Sequence, residues 1–262
     1  MHRTTRPVTA SSFYVAFFVA KKTATKNQLQ SCRVLAALAI RKNFMLKGKI
    51  IELTAESAEI ALKQAVDDGV LKDIPFVGSL VKLCSIGKSV RDSLYTEKLR
   101  AFICALNEVP SEKKDEFISE VKDRKHEIEK LVQKIILVIE TQTDIEKSEI
   151  IANFFVSYLD GYMDESAFRR SLDVTASYFL DDIVKFVANA GFMRTSVEEL
   201  EFGGLAGLIG SPLIGFDKST PEELINDGWK EHSFSSLFET TRFGSTFAGA
   251  FHYGARLRGS DG

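Results

Sequence analysis

From Thr54 to Val187 apolar residues recur at three-and-four spacing, the period of a helix with one buried face. A chain patterned in this way folds by packing helix on helix. Thr54 caps a helix carrying Ile60, Ala61 and Leu62 that Gly69 ends. Pro75 opens a longer pattern through Val77, Leu80, Val81, Cys84, Val90, Leu94, Leu99, Phe102, Ile103 and Leu106. Pro110 breaks it, and Ser111 is expected to cap the short charged helix "SEKKDEFISEVKDRK".

Ile128, Leu131, Val132, Ile135, Ile136 and Ile139 form a core-facing stripe on the next segment. "TDIE", residues 143 to 146, has the Thr-x-x-Glu form of a capping box, followed by Ile150, Ile151, Phe154, Phe155, Tyr158 and Leu159 up to Gly161. Asp164 then caps one helix expected to run through Phe168, Leu172, Ala176, Phe179, Leu180, Ile183 and Val187. Short connections between five or six such helices predict a bundle.

The texture changes after Gly191. Ser196 and Glu199 predict a second capping box for "VEELEFGGLAG", and "LIGSPLIGF" and "SFSSLFET" read as short extended runs around the insert "DKSTPEELINDGWKEH". This order resembles the end of a winged-helix domain, on Leu208, Ile209, Phe238, Thr241, Gly244 and Phe247. The expected fold is therefore mainly α: a helical bundle over 45–190, then a winged-helix-like α+β module with a short β-hairpin over 191–262, packed on the bundle.

Charge separates the beginning of the chain from the rest. Of 34 Lys and Arg, eight lie in residues 1–44, which hold none of the 36 Asp and Glu. The apolar "FYVAFFVA" in that leader is short for a signal peptide and "KK" follows it at once. The reading adopted is a native start at Met45, with 1–44 disordered or outside the native protein; a targeting segment and a genuine basic arm are the alternatives. Three cysteines without CxxC or Cys/His spacing suggest neither a disulfide framework nor a zinc site and fit a reducing cytoplasm.

No constellation for chemistry emerges. His126, His232 and His252 have no HExxH partner, no GxSxG is present, and Cys84 and Cys104 read as small core residues. "GSPLIGFDKST" departs from a P-loop, because Phe216 and Asp217 intervene between Gly215 and Lys218 and break the fixed register of lysine and glycine. Thr220 as cap, Pro221 at the first helical position and Glu222 and Glu223 in the first turn explain those residues as a wing loop. No catalytic residue, cofactor or metal is assigned, and the chain is read as a non-enzyme.

Two surfaces remain as candidates. Around the wing, Phe216, Trp229 and Phe234 lie outside any regular stripe and suit a partner protein or a second copy of the chain. Residues 74–94 read as a bundle helix, but Phe76, Val77, Leu80 and Val81 beside Lys82 and Lys88 would also suit a membrane surface; the charges exclude a simple spanning helix. Duplex DNA fits poorly, since the helix expected in the groove carries Glu198, Glu199 and Glu201 without Lys or Arg; a patch of Lys218, Lys230, Arg242, Arg256 and Arg258 is the remaining cationic surface.

The patterns "IPFVGSLVK…RD" and "FFVSYLDGYMD" resemble uncharacterised bacterial helical proteins of the abortive-infection or phage-defence type, over residues 70 to 190. The resemblance implies a bacterial cytoplasmic accessory protein, peripheral at the inner membrane if residues 74–94 meet lipid. The alternatives are a membrane-active defence effector using that helix and a winged-helix DNA-binding regulator.

Overall fold

A computed structural model describes residues 90–189, 194–228 and 237–259. The leader, the residues from Phe76 to Lys88 named for membrane contact, Trp229, Lys230, His232 and Phe234 lie outside them. The described helices are α1 (Val90–Asn107), α2 (Ser111–Asp123), α3 (Lys125–Thr141), α4 (Glu146–Leu159), α5 (Glu165–Ser177) and α6 (Leu180–Asn189), then α7 (Val197–Phe202), α8 (Pro221–Asn226) and α9 (Arg242–Leu257). Three short strands, β1 (Thr195–Ser196), β2 (Ile214–Phe216) and β3 (Leu237–Thr240), form an antiparallel sheet in the order β1-β3-β2. The fold is thus mainly helical with a small sheet near its C-terminal end.

The middle helix of the bundle is α4. Its sequence "EKSEIIANFFVSYL" is apolar on more than one face, and a helix of that kind is stable only when surrounded. Accordingly Ile150, Ile151, Ala152, Phe154, Phe155 and Val156 are all buried, with α1, α3, α5 and α9 packed around them. The adjacent Phe154 and Phe155 serve two different sides. Phe155 stands 6.1 Å from Phe102 and 5.9 Å from Phe168 between ring centroids, while Phe154 meets Phe247 of α9 at 4.6 Å. The stripe on α3 is placed as its spacing predicts, with Ile128, Leu131, Val132, Ile135 and Ile139 in the same core.

Between α4 and α9 the contact is partly backbone. Ser157 Oγ donates to the Ala250 carbonyl at 2.5 Å, and a Cβ added at Gly254 would lie 2.1 Å from the Asn153 carbonyl oxygen. Only glycine permits that approach.

Three local expectations are corrected. Pro110, not Ser111, holds the cap position of α2: its backbone is already extended and its carbonyl accepts the first helical bond from Lys114 N at 3.0 Å. "TDIE" forms no capping box, because the turn starts at Ile145, whose carbonyl accepts from Ser148 N at 3.0 Å, and Thr143 instead donates to Asp144. The helix expected from Asp164 to Val187 is two helices. Tyr178 between them is extended, its carbonyl accepts from the buried Lys147 ammonium at 2.7 Å, and Phe179 is left 81% exposed. Lys98 terminates α3 in the same manner, donating to the Glu140 and Gln142 carbonyls at 2.9 and 2.7 Å. Both ammonium groups sit where the helix dipole is negative and the last carbonyls lack partners.

The junction of sheet and α9 is set by Thr241. Thr241 caps α9 by accepting from Gly244 N at 2.9 Å and donates to the Pro212 carbonyl at 2.6 Å. A Cβ at Gly244 would reach within 2.3 Å of the Leu213 carbonyl oxygen, which accounts for the glycine at that position. Leu208, Phe238 and Phe247 are buried beneath.

Candidate functional site

Two polar regions stand out from the packed frame, one at the sheet end and one beside the bundle. At the sheet end, β2 and β3 pair through Ile214 with Thr240, Gly215 with Glu239 and Phe216 with Phe238. Asp217 N then donates to the Leu237 carbonyl at 3.0 Å and turns the chain into the insert that follows β2. Inside that insert the capping box on α8 is complete: Thr220 Oγ1 accepts from Glu223 N at 3.3 Å, and Glu223 Oε2 accepts from Thr220 N at 2.9 Å, with Pro221 opening the helix. The near P-loop is therefore a capped turn. Its Asp217 carboxylate accepts from Ser219 N at 2.7 Å, which leaves that turn closed on itself.

Arg194, immediately before β1, fixes this insert. Its Nε donates to Asp217 Oδ2 at 2.6 Å, Nη2 to Ser219 Oγ at 2.5 Å, and Nη1 to Asp227 just after α8. One guanidinium thus ties both ends of α8 to the first strand of the sheet. Burial alone would raise the Asp217 carboxyl, but the Ser219 hydroxyl and amide together with Arg194 outweigh it and hold it below its ordinary value. Sequence reading missed this clamp: nothing local to Arg194 signals partners 23, 25 and 33 residues onward.

Phe216 is the one residue of the expected partner surface that is described. Its ring rests on the buried Phe238 at 4.9 Å between centroids, yet 64% of the residue stays exposed. Ile225 on α8 is 51% exposed, and Phe202 at the end of α7 is exposed as well. Helix α7 is shorter than expected, six residues and then a 3-10 turn over Ala206–Leu208. Half of its predicted box forms: Ser196 Oγ accepts from Glu199 N at 3.3 Å, while the Glu199 carboxylate turns to the Thr195 hydroxyl at 3.0 Å.

The expected cationic patch is corrected at Arg258. Its side chain is 2% exposed and donates to Glu108 Oε2 and Asn153 Oδ1, both at 2.6 Å, inside the bundle. A guanidinium so placed holds α9 to α1 and α4 and is unavailable to phosphate.

Beside the bundle, an open cleft of about 580 Å³ lies where α2 meets α3, lined among others by Arg124, His126, Glu127, Lys130, Glu165 and Arg169. Its charges are largely mutually satisfied. Arg124 pairs with Glu120 at 2.7 Å and Glu127 at 2.6 Å and donates to the Tyr158 hydroxyl; Arg169 pairs with Glu165 at 2.6 Å. Hydrogen bonding from Arg124 is the main reason the Glu127 carboxyl is held down to about 2. Arg124 ties α2, α3 and α4 together, the Arg169–Glu165 pair lies within α5, and the arrangement presents no activated nucleophile.

Burial pushes the Tyr158 phenol up to about 12 against the opposing pull of Arg124. The neutral phenol stabilises the fold fully at pH values well below 10, the midpoint for an unfolded tyrosine, and that contribution is lost as pH rises through 10 toward 12. Melting temperature should fall across that window, and Tyr158→Phe should reduce the slope, leaving the part due to Tyr253, whose phenol is also raised, chiefly by its hydrogen bond to Asp160. An unchanged slope in the variant contradicts the assignment.

Among the described residues no three His, Cys, Asp or Glu side chains are grouped to hold a metal ion, and no helix is long and apolar enough to cross a membrane. Cys104 is half-buried, and burial raises its thiol, the opposite of activation. No family model, curated protein or solved structure matches the chain.

Proposed function

We propose that this protein is a non-enzymatic interaction or regulatory component, of the bacterial phage-defence accessory kind, that acts through a winged-helix-like C-terminal module. The connectivity supports the module: α6, β1, α7, a tight turn, then a β2–β3 hairpin with β3 between the other strands, followed by α9. A winged helix would have this order, with α7, only six residues long, in the place of the groove-reading helix. The observation that carries the interaction reading is Phe216, an aromatic ring anchored on Phe238 yet open to solvent beside the wing. Exposed aromatics on rigid elements are the usual anchors of protein contacts.

Duplex DNA is a weaker reading. From Arg194 to Gly228 the module carries seven acidic residues against two basic ones, of which Arg194 is spent on the wing clamp. Phosphate contacts need the reverse balance.

The test is a photo-reactive phenylalanine at position 216 of the full chain, activated in the cells that make it, alongside a duplex-binding titration at low salt. A discrete, saturable protein adduct with no duplex binding is the expected result. Absence of any adduct at 216, or duplex binding that weakens steeply with salt, overturns the reading.

A further inference from the structure

Helix α9, "RFGSTFAGAFHYGARL", contains Arg242, His252 and Arg256 and no Asp or Glu. Phe247, Ala250 and Gly254 are buried, and the side away from them carries Arg242, Thr246, Gly249, Tyr253 and Arg256 at alternating four-and-three spacing, one face of the helix. Both arginines are exposed. Tyr162, from the turn after α4, lies along this face: its hydroxyl stands where a Cβ at Gly249 would be, and its ring stacks on Tyr253 at 4.5 Å between centroids with 20° between planes. Tyr253 thus covers one side of the Tyr162 ring while 47% of the residue stays exposed. Arg256 lies 5.2 Å over the Tyr253 ring, and toward the start of α9 the exposed Arg170 of α5 rests 4.3 Å over Phe243, the neighbour of Arg242. Among the described residues none of these three arginines has a carboxylate partner. The acids beside them in the chain are engaged. Asp160 accepts from Lys113 at 2.9 Å and from the Tyr253 hydroxyl, Asp164 caps α5, and Glu165 pairs with Arg169 at 2.6 Å.

We propose that this face of α9 binds single-stranded nucleic acid: a base stacks on the open side of Tyr162, and the phosphates to either side meet Arg256 and the Arg242–Arg170 end. Single-strand sites join a cationic track to aromatic rings, because each nucleotide brings one charge and one π-face. From Arg242 to Arg256 the track is about 21 Å long at the helical rise per residue, so it follows a strand and does not enclose a small molecule. A duplex keeps its bases stacked on one another and offers none to Tyr162. A lipid surface calls for exposed aliphatic side chains, and the stripe carries none. An acidic peptide would satisfy the guanidiniums but leave the ring without a stacking partner. None of these residues serves the contact at Phe216, so this proposal and the interaction reading stand or fall separately.

Fluorescence anisotropy of the full chain with labelled oligothymidylate and oligouridylate of about 12 nucleotides, within the usual span of such sites, tests this over a salt series. The single strands should bind and the matching duplex should not. Tyr162→Ala should cost about tenfold in affinity, the loss of one stacked base, whereas Tyr162→Phe keeps the ring and should bind like the unaltered chain. Arg242→Gln and Arg256→Gln should each flatten the slope of log affinity against log salt by about 0.7, one single-strand phosphate contact apiece. All three positions are exposed, so circular dichroism should show an unchanged fold. Failure of both single strands to bind at low salt overturns the proposal, as does binding indifferent to Tyr162→Ala and to both arginine changes. So does binding of the duplex, of polyglutamate or of phosphatidylserine vesicles as tight as that of the single strands, since each would reduce the face to a site for negative charge alone.

Discussion

Gly254→Ala should destabilise the protein by ~3 kcal/mol, at the upper end of what overpacking a core costs. The added methyl would stand 2.1 Å from the Asn153 carbonyl oxygen, 2.6 Å from its carbon and 2.7 Å from its Cα, and none of these atoms can move without displacing α4. Since α4 is the helix on which α1, α5 and α9 all pack, a shift there is felt throughout the core. Gly249→Ala, five residues earlier on the same helix, is the control. Its methyl would meet the hydroxyl end of Tyr162, a side chain 47% exposed and able to swing outward, so the change should be near neutral or gain up to about 1 kcal/mol of helix propensity. Urea unfolding of the two variants at unchanged m-value measures the difference directly. Equal midpoints would mean that the two helices do not approach as closely as the backbone geometry places them.

Which parts of this fold could be read from the sequence depends on the range of the forces that set them. The stripe on α3 and the Asp164 and Thr220 caps are decided within three or four residues, and all three are found where the pattern placed them; the Thr241 cap and the full box at Thr220 were not foreseen. The break between α5 and α6 was not legible, because its cause is Lys147, an ammonium from another helix that takes the Tyr178 carbonyl. "TDIE" failed for a related reason: a capping box is a local option, and here the chain enters α4 two residues later than the motif requires. At the candidate surface, the exposure of Phe216 agrees with its position outside any stripe, whereas the Arg194 clamp that holds α8 joins residues distant in sequence. Arg258 was misread in the same sense. Its spacing near Arg256 suggested a solvent-facing patch, and only the fold brings Asn153 and Glu108 to it.

That burial carries the second large prediction. Arg258→Met should cost about 3 kcal/mol, the lower end for breaking a buried ion pair, because Glu108 is 34% exposed and water can reach it once the guanidinium is gone. The remaining cost falls on Asn153 Oδ1, which loses its 2.6 Å donor inside the bundle. Arg258→Lys should recover little. A single ammonium lacks the planar fork that reaches Glu108 and Asn153 together at 2.6 Å, with the Glu149 carbonyl at 3.3 Å. Glu108→Gln retains an acceptor for Nη2 and should be milder than either, and the double change Glu108→Gln with Arg258→Met should be less destabilising than the sum of the singles, since each removes the same charge pair. Denaturant midpoints for the four chains complete this cycle. Strict additivity would show that Arg258 stabilises α9 through its packing alone; a coupling above about 1 kcal/mol would place the tie between α9 and α1 in the charge pair.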